Sequence, residues 1–253
     1  MKVTVLGCGT SAGVPMIGCH CAVCRSTDPR DKRLRCSIFV ETEDRKILVD
    51  TGPDLRAQCL AAGIDWVDAI LFTHAHADHI HGIDDVRSLN WAMERMIDAY
   101  ADADVFDRIR TRFDYALHPD TVGFWRPVLN PIAFDGPFRV GEQEVVPILQ
   151  GHGKGVSWGF RFGAFAYSPD VDALDEAAFA ALAGIEVWIV DALRERPHPS
   201  HSHLEQTLAW IERVRPKRAI LTHTNHEVAY ADWQARLPAG VELAHDGMVI
   251  ELP

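Results

Sequence analysis

Four side chains able to bind a metal ion fall within six residues, in the run His74-Ala75-His76-Ala77-Asp78-His79. They follow directly on Ala69–Thr73, an apolar stretch that reads as a buried strand. Alternate residues of an extended chain share a face, so His74 and His76 point one way. After a turn, Asp78 and His79 can face a neighbouring ion. Imidazole and carboxylate donors suit Zn²⁺ and Mn²⁺. Core packing does not explain four such residues together; the plain alternative is a solvated loop that happens to be His-rich. One strand end does not complete two metal sites, so further ligands are expected at other strand ends. His152 follows Val146–Gln150, Asp170 follows Ala164–Tyr167 and His223 follows Ile220–Thr222, and each preceding run is apolar. Strands that all end on one edge of a sheet would bring these residues together.

The rest of the chain supplies such strands. Lys2–Leu6, Ser37–Glu41, Lys46–Asp50, Met96–Tyr100, Ile132–Phe134, Glu144–Leu149, Trp158–Phe162, Ala164–Tyr167, Val187–Asp191, Arg218–Thr222 and Val249–Leu252 have strand patterns. Pro53–Ala62, Asp84–Trp91, Asp102–Phe113, Glu176–Ala183 and Leu204–Arg213 have helical ones. No Pro/Ser/Gly linker separates the two halves, so residues 1–253 read as one layered α/β domain.

Composition narrows the function classes. The 253 residues are 47% hydrophobic and 24% charged, which suits a globular chain with a substantial core. No apolar run approaches the roughly 20 residues of a membrane span, and the start MKVTVLGCGT lacks the features of a signal peptide. A cytoplasmic location is expected. With 25 Lys+Arg against 36 Asp+Glu, the net charge of −11 opposes binding of extended nucleic acid.

Three of the 6 Cys lie in Cys19-x-Cys21-x-x-Cys24, which in a reducing compartment points to a metal before a disulfide. A structural tetrahedral Zn²⁺ needs one more ligand, and His226, three residues past His223, is available for a closed Cys₃His set. The alternative is three free core thiols, for which a loop with Gly18 and His20 is a poor setting. Cys8, Cys36 and Cys59 match no ligand pattern.

The order His74-x-His76-x-Asp78-His79, then His152, Asp170 and His223, resembles the metallo-β-lactamase superfamily of dinuclear metallohydrolases over essentially the whole chain. The resemblance implies a four-layer αβ/βα sandwich with two divalent metals, Zn or Mn, at one edge of the sheets. It implies that His74, His76 and His152 bind one ion, that Asp78, His79 and His223 bind the other, and that Asp170 bridges them. Asp78 before His79 resembles the phosphodiesterase and glyoxalase-like branches more than the β-lactamases. With its Cys loop, the chain looks like the PhnP-type cyclic phosphodiesterases, whose pattern has an early C-x-C-x-x-C zinc loop closed by a His just past the last catalytic His. PqqB-type proteins of coenzyme biosynthesis share a similar loop.

Phosphodiester hydrolysis needs an activated water and a protonated leaving alkoxide. Two metals can lower the pKa of a shared water and clamp phosphoryl oxygens; a His is suited to the proton. The loop before the helix at Leu204 holds His198, His201 and His203. The PhnP-type pattern places its acid at His201. His203 is the rival, or a helix-start or substrate-binding residue, and His198, between two prolines, reads as a plain surface residue. Lys154 is either a substrate-phosphate ligand or solvated; Arg56, Arg87 and Arg112 are weaker candidates. Asp50 and Asp191 end strands and would either orient His rings or simply cap. Gly7-x-Gly9-x-x-x-Gly13 has the wrong spacing for a dinucleotide site. Tyr100, Phe106, Phe113, Tyr115 and Phe124 are mostly core, with one exposed ring available to a base or sugar.

The resulting expectation is a metal-dependent phosphodiesterase for small cyclic phosphodiesters, a ribosyl cyclic phosphate or a 2′,3′-cyclic nucleotide, working by metal-hydroxide attack with His201 as acid. A homodimer would be common for such a domain. The alternatives are a glyoxalase II-like thioester hydrolase, a tRNA 3′-processing nuclease, for which no Gly-rich basic arm is seen, and a non-catalytic PqqB-like metal or carrier protein.

Overall fold

The computed structural model describes residues 1–117 and 128–252; Phe124 lies outside them. The strands of the first half are β1 (Lys2–Gly7), β2 (Ser37–Glu41), β3 (Lys46–Val49), β4 (Ala69–Leu71), β5 (Ile97–Ala101) and β6 (Leu129–Ala133). Those of the second are β7 (Phe138–Val140), β8 (Gln143–His152), β9 (Gly155–Phe162), β10 (Phe165–Ser168), β11 (Val187–Asp191), β12 (Arg218–Thr222) and β13 (Val241–Leu243). A last strand, β14 (Val249–Glu251), returns to the first sheet and pairs antiparallel with β1.

Among the described residues these form two sheets of seven, ordered β14-β1-β2-β3-β4-β5-β6 and β13-β12-β11-β10-β9-β8-β7. The two sheets share one plan. Each has an antiparallel half, β14 to β3 and β7 to β10, and a parallel half, β3 to β6 and β10 to β13. Parallel strands need crossovers, and helices supply them on the outer faces.

Strand alternation explains the layering. In β3, Ile47 and Val49 enter the cluster between the sheets, with Val3, Ile38, Phe160, Phe165 and Ile220, whereas Leu48 faces outward. The outer side of the first sheet packs on the helices Leu55–Ala62, Val86–Met93 and Ala103–Arg112 through Leu55, Leu89 and Phe106. That of the second packs Trp188, Val190 and Leu221 against Leu182 and the helix Leu204–Val214. Strands buried on both faces read as continuous apolar runs, as these do. The layers are helix, sheet, sheet and helix, an α/β sandwich.

The boundaries differ in instructive places. β6 starts three residues before the predicted Ile132, because Pro131 sits on an edge strand where its missing N–H costs no ladder bond. β7 and β13, unpredicted, are three residues each with a charged residue at the centre, FRV and VEL. Among the described residues, no helix is long and apolar enough to cross a membrane.

Candidate active site

The strand ends converge as the apolar runs require. β4 ends at Leu71 and leads through Phe72 and Thr73 into His74 and His76; the short helix Ala77–Ile80 then turns Asp78 and His79 inward. His152 closes β8, Asp170 follows β10 and His223 follows β12. Asp170 and His223 sit at φ 48° and 57°, left-handed conformations that turn the chain sharply at the strand end.

The ligand atoms fall into two groups that share one carboxylate. His74, His76, His152 and Asp170 form the first, and Asp78, His79, Asp170 and His223 the second, with donor atoms within 4.8 Å of one another in each. Asp170 Oδ2 lies 3.7 Å from both His74 Nε2 and His152 Nε2. Its Oδ1 lies 3.1 Å from His79 Nε2 and 3.4 Å from His223 Nε2. Each oxygen therefore faces a different group.

His152 Nε2 lies 3.2 Å from His76 Nδ1, within hydrogen-bond distance, but most of the other converging atoms have no such partner. His74 Nε2, His79 Nε2, His223 Nε2 and Asp170 Oδ1 are buried without a hydrogen-bond partner. Buried polar atoms are nearly always satisfied, so several orphans aimed at one spot fit a divalent cation. Protonation agrees. Burial pushes the His74, His76 and His152 imidazoles below their ordinary range, towards the neutral form a ligand needs. Burial would push the Asp170 and Asp78 carboxyls up, but the neighbouring histidines outweigh it and hold both well down, as carboxylates.

The rings are oriented from behind. Asp50, fully buried, accepts from Thr73 N and Thr73 Oγ1, each at 2.8 Å, and lies 2.7 Å from His79 Nδ1. His152 Nδ1 lies 2.6 Å from the Ser200 carbonyl. Both contacts leave Nε2 for the centre.

His201 Nδ1 lies 2.9 Å from Asp191 Oδ2, and the His201 ring stacks on His223 at 4.5 Å. A cavity of about 720 Å³ opens here, lined by ligand residues and by Lys154, His198 and His201. His198, expected on the plain surface, is half-buried in this wall. His203 starts the helix Leu204–Val214 and does not line the cavity. Arg56, Arg87 and Arg112 do not line it either; Arg112 donates to the Ala75 carbonyl at 2.7 Å. The far wall holds residues that sequence reading missed: Asp102 and Arg108 from the start and body of the helix that follows β5, and Val156 and Trp158 from β9 of the second sheet. Trp158 Nε1 donates to Asp102 Oδ2 at 2.7 Å, tying β9 to the start of the helix Ala103–Arg112 at the mouth.

The sulfurs of Cys19, Cys21 and Cys24 also lie within 4.8 Å of one another. Cys24 N donates to Cys21 Sγ at 3.4 Å, which lowers the Cys21 pKa from its ordinary value. His226 reaches this loop through its backbone, its carbonyl accepting from Cys21 Sγ at 3.5 Å. Among the described residues, its ring nitrogens do not belong to the sulfur cluster.

A sandwich of this kind with His/Asp clusters at its edge defines a metal-dependent hydrolase. Residues 45–224 match the family model of the beta-lactamase superfamily domain, and the chain belongs to that superfamily. A crystal structure of a diphosphatase from the PhnP family is 37% identical, has a TM-score of 0.93 and is matched over 100% of this chain and 98% of that one. The Zn²⁺-bound PqqB from Methylobacterium extorquens, 21% identical with full coverage of both chains and a TM-score of 0.80, shares the fold. A protein named octanoyltransferase from Porphyromonas gingivalis is 36% identical over 98% of this chain and 51% of its own length; this chain spans about half of that curated relative.

Proposed function

We propose that the protein hydrolyses small cyclic phosphodiesters, a ribosyl cyclic phosphate or a 2′,3′-cyclic nucleotide. The observation that carries this reading is Asp170, with one oxygen toward each ligand group, in the same cavity as an imidazole held by a buried carboxylate. His74, His76 and His152 would hold one divalent ion, Asp78, His79 and His223 a second, and Asp170 would bridge them. Two such ions supply an activated water and charge neutralisation for a phosphoryl group. Asp191 fixes the His201 ring through Nδ1, so Nε2 carries the proton delivered to the departing ribose oxygen. Lys154 and the far wall would receive the remaining anionic and organic parts of the substrate. Cys19, Cys21 and Cys24 would hold a structural zinc, with His226 as fourth ligand after rotation of its ring into the loop.

A phosphoric anhydride is the second reading, favoured by the PhnP-family structure described as a diphosphatase. Hydrolysis of a panel by Mn- or Zn-loaded protein separates the readings. The panel contains a 2′,3′-cyclic nucleotide, a linear dinucleotide, a nucleoside diphosphate sugar and a glutathione thioester. Turnover of the cyclic diester above the others supports the first reading. Preference for the diphosphate supports the second, and turnover of the thioester alone overturns both.

A further inference from the structure

The bend that carries Asp170 is held from inside the second sheet. Asp170 adopts φ 48°, a conformation costing on the order of 1 kcal/mol for a residue with a Cβ. It persists only where the surroundings fix it. Two adjacent carbonyls are fixed here: Pro169 O accepts from Gln150 Nε2 at 2.9 Å, and Asp170 O from Ser157 Oγ at 2.7 Å. Gln150 Nε2 also reaches Ser157 Oγ at 3.1 Å.

Gln150 and Ser157 are cross-strand partners on β8 and β9, and both are buried, at 1% and 0% exposure. Nothing in the sheet ladder needs a buried amide and hydroxyl there. Gln150 Oε1 is left buried without a hydrogen-bond partner, a cost that an apolar residue would not carry. The amide also needs room. A Cβ at residue 159 would come within 2.5 Å of Gln150 Oε1, and Gly159 leaves that space open. Three residues of the sheet are thus committed to one carbonyl pair, and that pair flanks the Asp170 side chain.

We infer that Gln150 and Ser157 are positioning residues for Asp170, fixing its backbone so that the carboxylate lies between the two ligand groups. The inference rests on Asp170 being a ligand to both ions. Partners that orient a metal ligand typically contribute about 10- to 100-fold in metal affinity.

Mn²⁺ binding to apo-protein, measured by calorimetry with circular dichroism as the control for folding, tests this. D170N sets the reference: if it leaves Mn²⁺ affinity unchanged, the reading of Asp170 as a ligand fails. S157A removes the hydroxyl with little change of volume, and Q150E places an oxygen against Pro169 O. Each is expected to weaken Mn²⁺ binding roughly tenfold or more with the fold intact. The double variant S157A/D170N is expected to bind no more weakly than D170N alone, because the two changes act through one carboxylate. Loss of affinity in D170N but not in S157A and Q150E overturns the inference. So does a full additive loss in the double variant.

Discussion

His201 faces Asp191 through Nδ1 at 2.9 Å while its ring lies stacked on His223, with 17° between the planes. A buried carboxylate thus fixes the imidazole beside the ligand groups and leaves Nε2 toward the cavity. His201→Ala is expected to retain the metal content of the wild type and to lose roughly 10²–10⁴-fold in kcat. An unchanged rate on the best substrate removes His201 from the mechanism.

Asp50 does for His79 what Asp191 does for His201, but behind a ligand instead of an acid. Its carboxylate takes two bonds from Thr73 and faces His79 Nδ1, with no exposure to solvent. In Asp50→Asn an amide replaces one acceptor among three donors. The expected outcome is roughly 10- to 100-fold weaker binding of the ion held by His79, seen as a split between the two steps of a Mn²⁺ titration. Equal affinity at both steps would assign Asp50 to strand-end capping alone.

The strand-end pattern made most of this site readable. Each of His74, His152, Asp170 and His223 follows an apolar strand, and a β-sandwich brings such ends to one edge. What stayed hidden depends on contacts between distant segments. Asp102, read as the first residue of a helix, caps it by accepting from Val105 N at 2.7 Å; its second oxygen takes Trp158, 56 residues away on the second sheet. His198 looks solvated between its prolines, yet the loop folds it against His201, ring centroids 5.2 Å apart. The layered fold followed from apolar runs separated by helices, whereas the three-residue strands β7, FRV, and β13, VEL, carry a central charged residue and no apolar run to mark them.

The cysteine loop gives a prediction about composition. If Cys19, Cys21 and Cys24 hold a zinc, purified protein carries one tightly bound zinc that survives exchange of the active-site ions. Cys24→Ser is expected to lose that equivalent, measured by elemental analysis, while Mn²⁺ still binds at the strand ends. His226→Ala should weaken retention of the same zinc. An unchanged zinc content in both variants rejects the Cys₃His site.

Asp246 makes stability depend on pH. Burial pushes its carboxyl up to about 6, only partly offset by bonds from Leu34 N at 2.7 Å and Cys8 N at 3.1 Å. The folded state therefore binds this proton more tightly than the unfolded chain does. The stabilisation is complete below the ordinary aspartate range near 4 and is lost as pH rises through about 6. The loss is on the order of 1–3 kcal/mol. Chemical denaturation from pH 4 to 7 should show this falling contribution in wild type and its absence in Asp246→Asn. Parallel pH profiles would mean that Asp246 titrates normally.

Lys154 sits on the turn between β8 and β9, exposed and facing the same cavity as His201. Arg108, across the cavity, is already paired with Asp104 at 2.9 Å, whereas Lys154 has no such partner among the described residues. An unpaired cation at the mouth of a site for anionic esters attracts ground state and transition state alike. Lys154→Ala should therefore raise KM while leaving kcat nearly unchanged. An exposed contact of this kind contributes on the order of 1 kcal/mol, so the rise in KM is roughly three- to tenfold. Because the attraction is screened, the wild-type KM should also climb with ionic strength, and the variant's should climb less. A fall in kcat at constant KM would instead move Lys154 from the mouth to the reacting phosphoryl group.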